Sequence, residues 1–400
     1  MVKFLILGAN RMNKGNEALL KSTMNTIKYF VGDSTFFLLG VTDDKIKVEG
    51  VYYPIISNPY FSMSLKKPLK VFESLFTILK IILFKKFNIT RFNNEFLEYI
   101  NSMDIIINSG GDHLSGEYGR SSIITLINVL YALFLDKPVV LYSESLGYHK
   151  SPLLKFMLNY VLERSSLILV REFKSYEYLK ENLKSKNYYL TADSAFLLDS
   201  RPPKNFQKEN FKQPLIGFNV SPLISNFAKD LDIEKISIKS VEFFLKHFDG
   251  TILLIPHVYG DDSDLKVLSK IYGHFDSDRI LLISDEYGPE ELKFIIGCCD
   301  LFIGARMHAT IASTSMFVPT VGIAYSHKMH GIIGEMIGLE DYVIDLDDLS
   351  SEILIEKTLK AWENREEIKK HLKKVIPEVK RRALKNGELV KELCESLGIS

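Results

Sequence analysis

Apolar and polar positions along this chain alternate in two rhythms. Short β-rich apolar runs, KFLILGA, TFFLLG, DIIINSG, PVVLYSE and LILVRE, are separated by segments with helical spacing, among them 16–30, 121–135 and 152–164. A strand buried on both faces reads as a continuous apolar run, whereas its crossover helix repeats every 3.6 residues. The alternation therefore predicts a parallel sheet covered by helices. A polar stretch with three prolines follows, DSRPPKNFQKENFKQP at 199–214, and its lack of periodicity predicts an interdomain linker. The rhythm then restarts with LIGFNV, TILLIPHV, RILLIS, DLFIGA, PTVGIAY and YVIDL, and ends in a charged helical tail from about 352 to 398.

Two α/β halves of this kind predict a pair of Rossmann-like domains facing a cleft, in a GT-B-like arrangement. The expected boundaries are 1–205 and 206–350, with 351–400 as the tail. No repeat relates the two halves, so the expectation rests on pattern. The composition agrees: 400 residues, 46% hydrophobic and 25% charged, suffice for two domains with separate cores. Lys plus Arg and Asp plus Glu number 50 each, which argues against a general nucleic-acid binder. Three cysteines, with Cys298 and Cys299 adjacent on an apolar stretch, make neither a disulfide framework nor a metal-ligand spacing. They suit a reducing, cytoplasmic setting. The apolar run of MVKFLILGAN is short and ends in Gly-Ala-Asn, so it is expected to be a first buried strand rather than a signal peptide.

One segment breaks the even charge distribution. Residues 66–91, KKPLKVFESLFTILKIILFKKFNITR, carry seven Lys/Arg against one acid, Glu73. Their apolar centre is too short and too interrupted to span a bilayer. A basic apolar helix can instead lie on an anionic membrane surface, or pack on a sheet with its lysines solvated.

Candidate chemistry concentrates at strand ends. GARMHATIAST, 304–314, begins where the strand DLFI runs out and a helix starts. Loops at the carboxyl ends of parallel strands are the usual ligand positions in such folds, and the helix start offers unbonded N–H groups and a positive dipole end. Arg306 adds a planar fork suited to carboxylate or phosphate, and His308 can carry a proton near neutral pH. Alone, the pair could equally be an ion-paired arginine and a capping histidine. The next strand, however, ends in Tyr325, His327, Lys328 and His330, which brings Lys328 toward the same place. Arg171 ends another strand and could bind an anion or pair with an acid such as Glu172. Gly110 and Gly111 could let backbone approach a ligand or simply turn the chain. Gly15 and Asn16 open a helix, His257 follows LLIP, and His149 lies in a loop.

The run IIGCCDLFIGARMHATIAST, followed by MFVPTVGIAYSHKMHG, resembles the polysaccharide pyruvyl transferase family. That family shows an acid-led apolar strand, G-x-R-x-H-x-x-I, a Pro-led strand and a Y-x-x-K-x-x-G ending. Here these positions are Asp300, Gly304, Arg306, His308, Ile311, Pro319, Tyr325, Lys328 and Gly331. LGANRMNKGNEALL, INSGGDHLSGEYG, VREFKSYEYLKE, TADSAFLL and LLIPHVYGDDSDLKVL resemble further family elements in order, so the likeness touches nearly the whole chain. Where many members carry a Gly-Gln pair, this chain reads Ser143, Glu144, Ser145.

The resemblance implies transfer of the pyruvyl group of phosphoenolpyruvate to two hydroxyls of a sugar, forming a cyclic ketal and releasing phosphate. The acceptor would be a cell-surface polysaccharide or its lipid-linked precursor, reached in the cytoplasm or from the inner face of the membrane. Phosphoenolpyruvate carries a carboxylate and a phosphate, so Arg171, Arg306 and Lys328 are the expected cations. His308 would protonate the enol carbon or deprotonate a hydroxyl. Asn16, Gly110, Gly111, His257 and Tyr325 complete the expected binding residues, the donor being a substrate and no cofactor or metal being required. Two other readings use the same residues: a GT-B glycosyltransferase whose Arg306 and Lys328 hold a nucleotide-sugar diphosphate, and a sugar-phosphate binding protein without turnover.

Overall fold

The computed structural model describes residues 1–40, 44–57, 76–83, 86–87, 94–109, 111–116, 120–147, 149–184, 187–260 and 263–399. It divides into two compact units. Unit 1 comprises Met1–Arg11, Leu19–Ser194 and Arg382–Ser400; unit 2 comprises Met12–Ala18 and Ala195–Arg381.

Unit 1 is built on eight strands: β1 (Val2–Ala9), β2 (Ser34–Gly40), β3 (Asp44–Val48), β4 (Val51–Ser57), β5 (Ile105–Asn108), β6 (Val139–Glu144), β7 (Leu167–Val170) and β8 (Tyr188–Leu190). Their order is β3-β4-β2-β1-β5-β6-β7-β8. All neighbours are parallel except the β3–β4 hairpin. Successive side chains point to opposite faces of a strand. Leu5 and Leu7 accordingly join Ile106, Leu141 and Ile168 in one apolar layer, while Phe4 and Ile6 join Ile105, Ile107 and Val140 in the other. Phe4, Leu5 and Ile6 are fully buried, and truncating any of them to Ala would cost about 2–5 kcal/mol.

Unit 2 carries β9 (Leu215–Asn219), β10 (Thr251–Leu254), β11 (Ile280–Leu282), β12 (Leu301–Gly304), β13 (Thr320–Ala324) and β14 (Val343–Asp345). The order is β11-β10-β9-β12-β13-β14, parallel throughout. The chain moves outward from β9 through β10 to β11, then returns to the other side of β9 as β12. That reversal is the topological switch point, where ligands of open parallel sheets bind.

Several features depart from the sequence expectations. The hairpin β3–β4 was not anticipated; Glu49 and Gly50 turn it with φ of 46° and 87°, the left-handed pair a two-residue hairpin needs. The expected linker 199–214 belongs to unit 2: Phe206 is buried, with its ring tilted against Phe211 and edge-on to Phe294, and Arg201 N–H donates to the Glu290 carbonyl. Two aromatic anchors suffice to fix it without any periodicity. The expected tail also consists of packed elements. Helix Ser351–Glu363 buries Leu354, Thr358 and Ala361, and the end of helix Arg365–Ser396 places Leu389, Val390 and Cys394 in the unit 1 core. Of the segment 66–91, residues 76–83 form a helix, whereas 66–75, 84–85 and 88–91 lie outside the described residues, as does Gly110.

Candidate functional site

The switch point of unit 2 is framed by the ends of β9, β10 and β12. Asn219, the last residue of β9, accepts the Arg306 N–H at 3.0 Å and donates to the Ile255 carbonyl at 2.9 Å. It thereby ties the ends of β12 and β10 to its own strand. Its amide also reaches Asp264, at 3.2 Å.

Asp264 is the hub of the arrangement. It is fully buried at the start of helix Leu265–His274. One carboxylate oxygen accepts the backbone N–H groups of His257 and Val258, at 2.9 and 3.1 Å. The other accepts Arg306 Nε at 3.0 Å and Nη2 at 2.8 Å. Arg306 is thus a buried, charge-compensated guanidinium whose orientation is fixed, and Tyr325, from the end of β13, hydrogen-bonds to it. Register pairs Gly304 with Gly322, so the ends of β12 and β13 are neighbours as expected. Lys328 is buried just beyond β13, and its neighbour Met329 receives the Thr310 hydroxyl from the first turn of helix Met307–Ser315.

The start of helix Lys14–Val31 completes the cluster. Tyr259 N–H donates to the Met12 carbonyl and Lys14 N–H to the His257 carbonyl, at 2.7 and 3.1 Å. Asn13 caps the helix by accepting the N–H groups of Gly15 and Asn16, at 3.0 and 3.3 Å. Gly15 lies close against His308: a Cβ there would stand 2.2 Å from Nδ1 and 2.6 Å from Cγ. A side chain at position 15 would therefore displace the ring. His308 is itself the second residue of its own helix. Two helix starts, each with a positive dipole end, converge on one imidazole.

Charge in this corner is closely balanced. Lys14, buried, pairs with Glu17 at 3.2 Å and Glu286 at 3.0 Å, with its ammonium 5.5 Å from the Tyr259 ring centroid. Burial pushes the His257 imidazole down to about 3, and the neighbouring His308, Arg306 and Lys14 push the same way. His257 is therefore neutral at ordinary pH and can orient but not store a proton. Beyond Lys328 the chain makes a wide π-helical turn, His330–Met336. His330 spans Glu340 and Asp345 at 2.6 and 2.9 Å; burial opposes its charge, yet these bonds outweigh burial and raise its pKa.

Unit 1 holds a separate cluster at its own strand ends. Arg171, 1% exposed, pairs with Asp193 at 2.5 Å and donates from Nε to Ser145 Oγ at 2.8 Å. The acid it pairs with is thus Asp193; Glu172 instead caps helix Phe173–Asn182 by accepting the Ser175 N–H. Gly111, with φ of 76°, lies so close that a Cβ would stand 3.1 Å from Arg171 Nη1. Asn108 donates to buried Glu144 at 2.6 Å. Ser143 adopts φ of 57° at an irregularity in β6, a left-handed conformation that stores about 1–3 kcal/mol in a non-glycine residue. His149 is accounted for structurally, its ring bonding the Leu114 carbonyl at 2.9 Å.

Of the expected residues, Asn16, His257, Arg306, His308, Tyr325 and Lys328 belong to unit 2, while Arg171 and Gly111 belong to unit 1. Sequence reasoning passed over Asn13, Lys14, Asn219 and Asp264. Their signals were modest: Asn before Lys-Gly at a helix start, Asn closing a strand, and Asp opening the helix after Pro-His.

The fold is that of GT-B enzymes. A co-structure of S. aureus MnaA with UDP superimposes with a TM-score of 0.61 at 11% identity, covering 100% of this chain and 98% of that one. A UDP-glucosyltransferase from Polygonum tinctorium gives a TM-score of 0.57 at 11% identity, with 98% of each chain covered. At such identities the likeness is one of fold. Sequence narrows it: the polysaccharide pyruvyl transferase family model matches residues 13–327, and the chain belongs to that family. It is also 24% identical over 332 residues to the amylovoran biosynthesis protein AmsJ of Erwinia amylovora, covering 79% of this chain and 78% of AmsJ. The matched span begins at Asn13, the cap of the helix that touches His308, and ends just before Lys328.

Proposed function

We propose that this member of the family moves the pyruvyl group of phosphoenolpyruvate onto two hydroxyls of a sugar in a polysaccharide or its lipid-linked precursor. The products are a pyruvate ketal and phosphate. The observation that carries the reading is His308, held by Gly15 between two helix starts and beside Arg306. A dianionic or trianionic donor is stabilised by dipole ends and by fixed cations, and its enol carbon needs a proton at the same place.

On this reading Arg306 and Lys328 bind the donor carboxylate and phosphate, with Asp264 fixing the guanidinium fork. One sugar hydroxyl adds to the central carbon as the methylene carbon takes a proton. The second hydroxyl then displaces phosphate at that carbon, its proton leaving with the phosphate. His308 either supplies the methylene proton or removes a hydroxyl proton. Neutral His257, together with Tyr325 and Asn16, orients the groups around it. Arg171, expected as a third cation for the donor, is held in unit 1 among Asp193, Asp112 and Glu144, and we assign it instead, with Gly110 and Gly111, to the acceptor. On this reading the enzyme acts in the cytoplasm, a reducing setting that its three free cysteines suit.

Calorimetric titration with phosphoenolpyruvate and, separately, with UDP tests the reading. Saturable phosphoenolpyruvate binding, lost in Arg306→Ala, is expected. His308→Gln should retain that binding while phosphate release in the presence of acceptor falls by about 10²–10⁴. UDP binding without phosphoenolpyruvate binding would overturn the proposal in favour of a nucleotide-sugar enzyme, and unaltered turnover by His308→Gln would remove His308 from the chemistry.

A further inference from the structure

Helix 76–83 of unit 1 turns apolar side chains in both directions. Thr77, Ile78 and Ile81 are buried, the two isoleucines in the core with Phe96 and Leu97. At about 100° per residue these three share one arc of the helix. Phe76, Leu79, Ile82 and Leu83 share the opposite arc and are 57%, 48%, 40% and 42% exposed; Phe87, just beyond, is 69% exposed. A helix that only covered a sheet would place polar residues on that outer face. Large apolar side chains gathered there mark a contact surface.

Charge selects what the surface meets. Lys80 stands beside the apolar arc with its ammonium 4.9 Å from the Phe76 ring centroid, and Lys86 is exposed. The sequence around them, 66–91, holds seven Lys/Arg against the single acid Glu73, in a chain whose formal net charge is zero. Pairing with a second copy would bring two strongly basic segments together, which electrostatics opposes. An anionic lipid surface accepts both the lysines and the apolar side chains. The eight described residues extend about 12 Å, far short of a bilayer, and no described helix is long and apolar enough to cross one.

We propose that helix 76–83 docks this protein on an anionic lipid surface. It lies in the interface, with Phe76, Leu79, Ile82 and Leu83 at the acyl boundary and Lys80 and Lys86 on headgroup phosphates. This inference is independent of the donor and stands or falls on lipid binding alone.

The test is sedimentation of the full chain with vesicles of phosphatidylcholine alone, and of phosphatidylcholine and phosphatidylglycerol in equal parts. The protein should pellet with the mixed vesicles only, and less as salt is raised. Replacing Phe76, Leu79 and Leu83 together with Ser should lower partitioning about tenfold or more. Lys80→Gln and Lys86→Gln should each lower it about fivefold. All variants should retain the parent's thermal melt and phosphate-release activity on a soluble acceptor. A parent that stays in the supernatant with both vesicle types at low salt would overturn the proposal, as would a triple variant that pellets like the parent. A concentration-dependent dimer that the triple substitution abolishes, without vesicle binding, would assign the face to a second copy instead.

Discussion

Arg171 and Arg306 occupy matching places in the two units. Each follows the end of a buried parallel strand, each is almost wholly buried, and each is held by a buried aspartate, Asp193 or Asp264. Ion pairing therefore does not distinguish them. Their surroundings do. Asp193, Asp112 and Glu144 all act on Arg171, so that cluster is dominated by carboxylates. Arg306 has two histidines, Lys14 and two helix starts close by, and Asp264 is satisfied by backbone N–H groups as well as by the guanidinium. On the proposed reading, a strand-end arginine joins a chemical site when titratable groups and helix starts converge on it, not when it is merely unusual in burial.

The sharpest way to break this comparison is to remove each arginine. Arg171→Met leaves buried Asp193 without its guanidinium, and unit 1 should lose about 3–5 kcal/mol of stability in urea unfolding. Arg306→Met should cost less, because three N–H donors still hold Asp264. Equal losses would mean that the two clusters are equally structural. Next in size, His308→Gln should lower kcat by about 10²–10⁴, with urea unfolding unchanged. Gly15→Ala displaces the His308 ring and should lower kcat by about a hundredfold. Gly273→Ala is its control, since a Cβ there meets nothing within 4 Å; equal kcat losses in the two would dissociate Gly15 from the ring.

The smallest effect is a pH slope. His257 titrates at about 3 when folded and near its ordinary value of 6.5 when unfolded. Between those values the unfolded chain binds a proton that the folded chain does not. Stability contributed by neutral His257 is thus full above about pH 6.5 and falls by about 1.4 kcal/mol per pH unit on acidification. His257→Asn should lack that share of the slope when urea unfolding is compared at pH 7 and pH 5. Parallel slopes would place the ring in contact with solvent.

Every strand quoted from the sequence is present, because burial on both faces leaves a continuous apolar run that needs no alignment to see. The edge hairpin β3–β4 was not read: DKIKV alternates with lysine and VYYPIIS contains a proline, so neither is such a run. Helix Arg365–Ser396 was legible as a helix, but nothing in its charged sequence revealed that Leu389, Val390 and Cys394 would enter the unit 1 core. The site was half legible. G-A-R-M-H at a strand end supplied Arg306 and His308, since strand-to-helix turns advertise themselves locally.

The sequence alone determined the two α/β halves, the family and the strand-end residues, because apolar period, turn chemistry and ordered motifs are local properties. Only the tertiary structure decided which of those residues meet. Asn13 and Lys14 come to His257 and His308 across more than half the chain, through two backbone hydrogen bonds and one glycine without a side chain. Asp264 becomes the counter-ion of Arg306 because the strand order reverses at β9. Such contacts depend on strand order and crossover direction, which no single segment encodes.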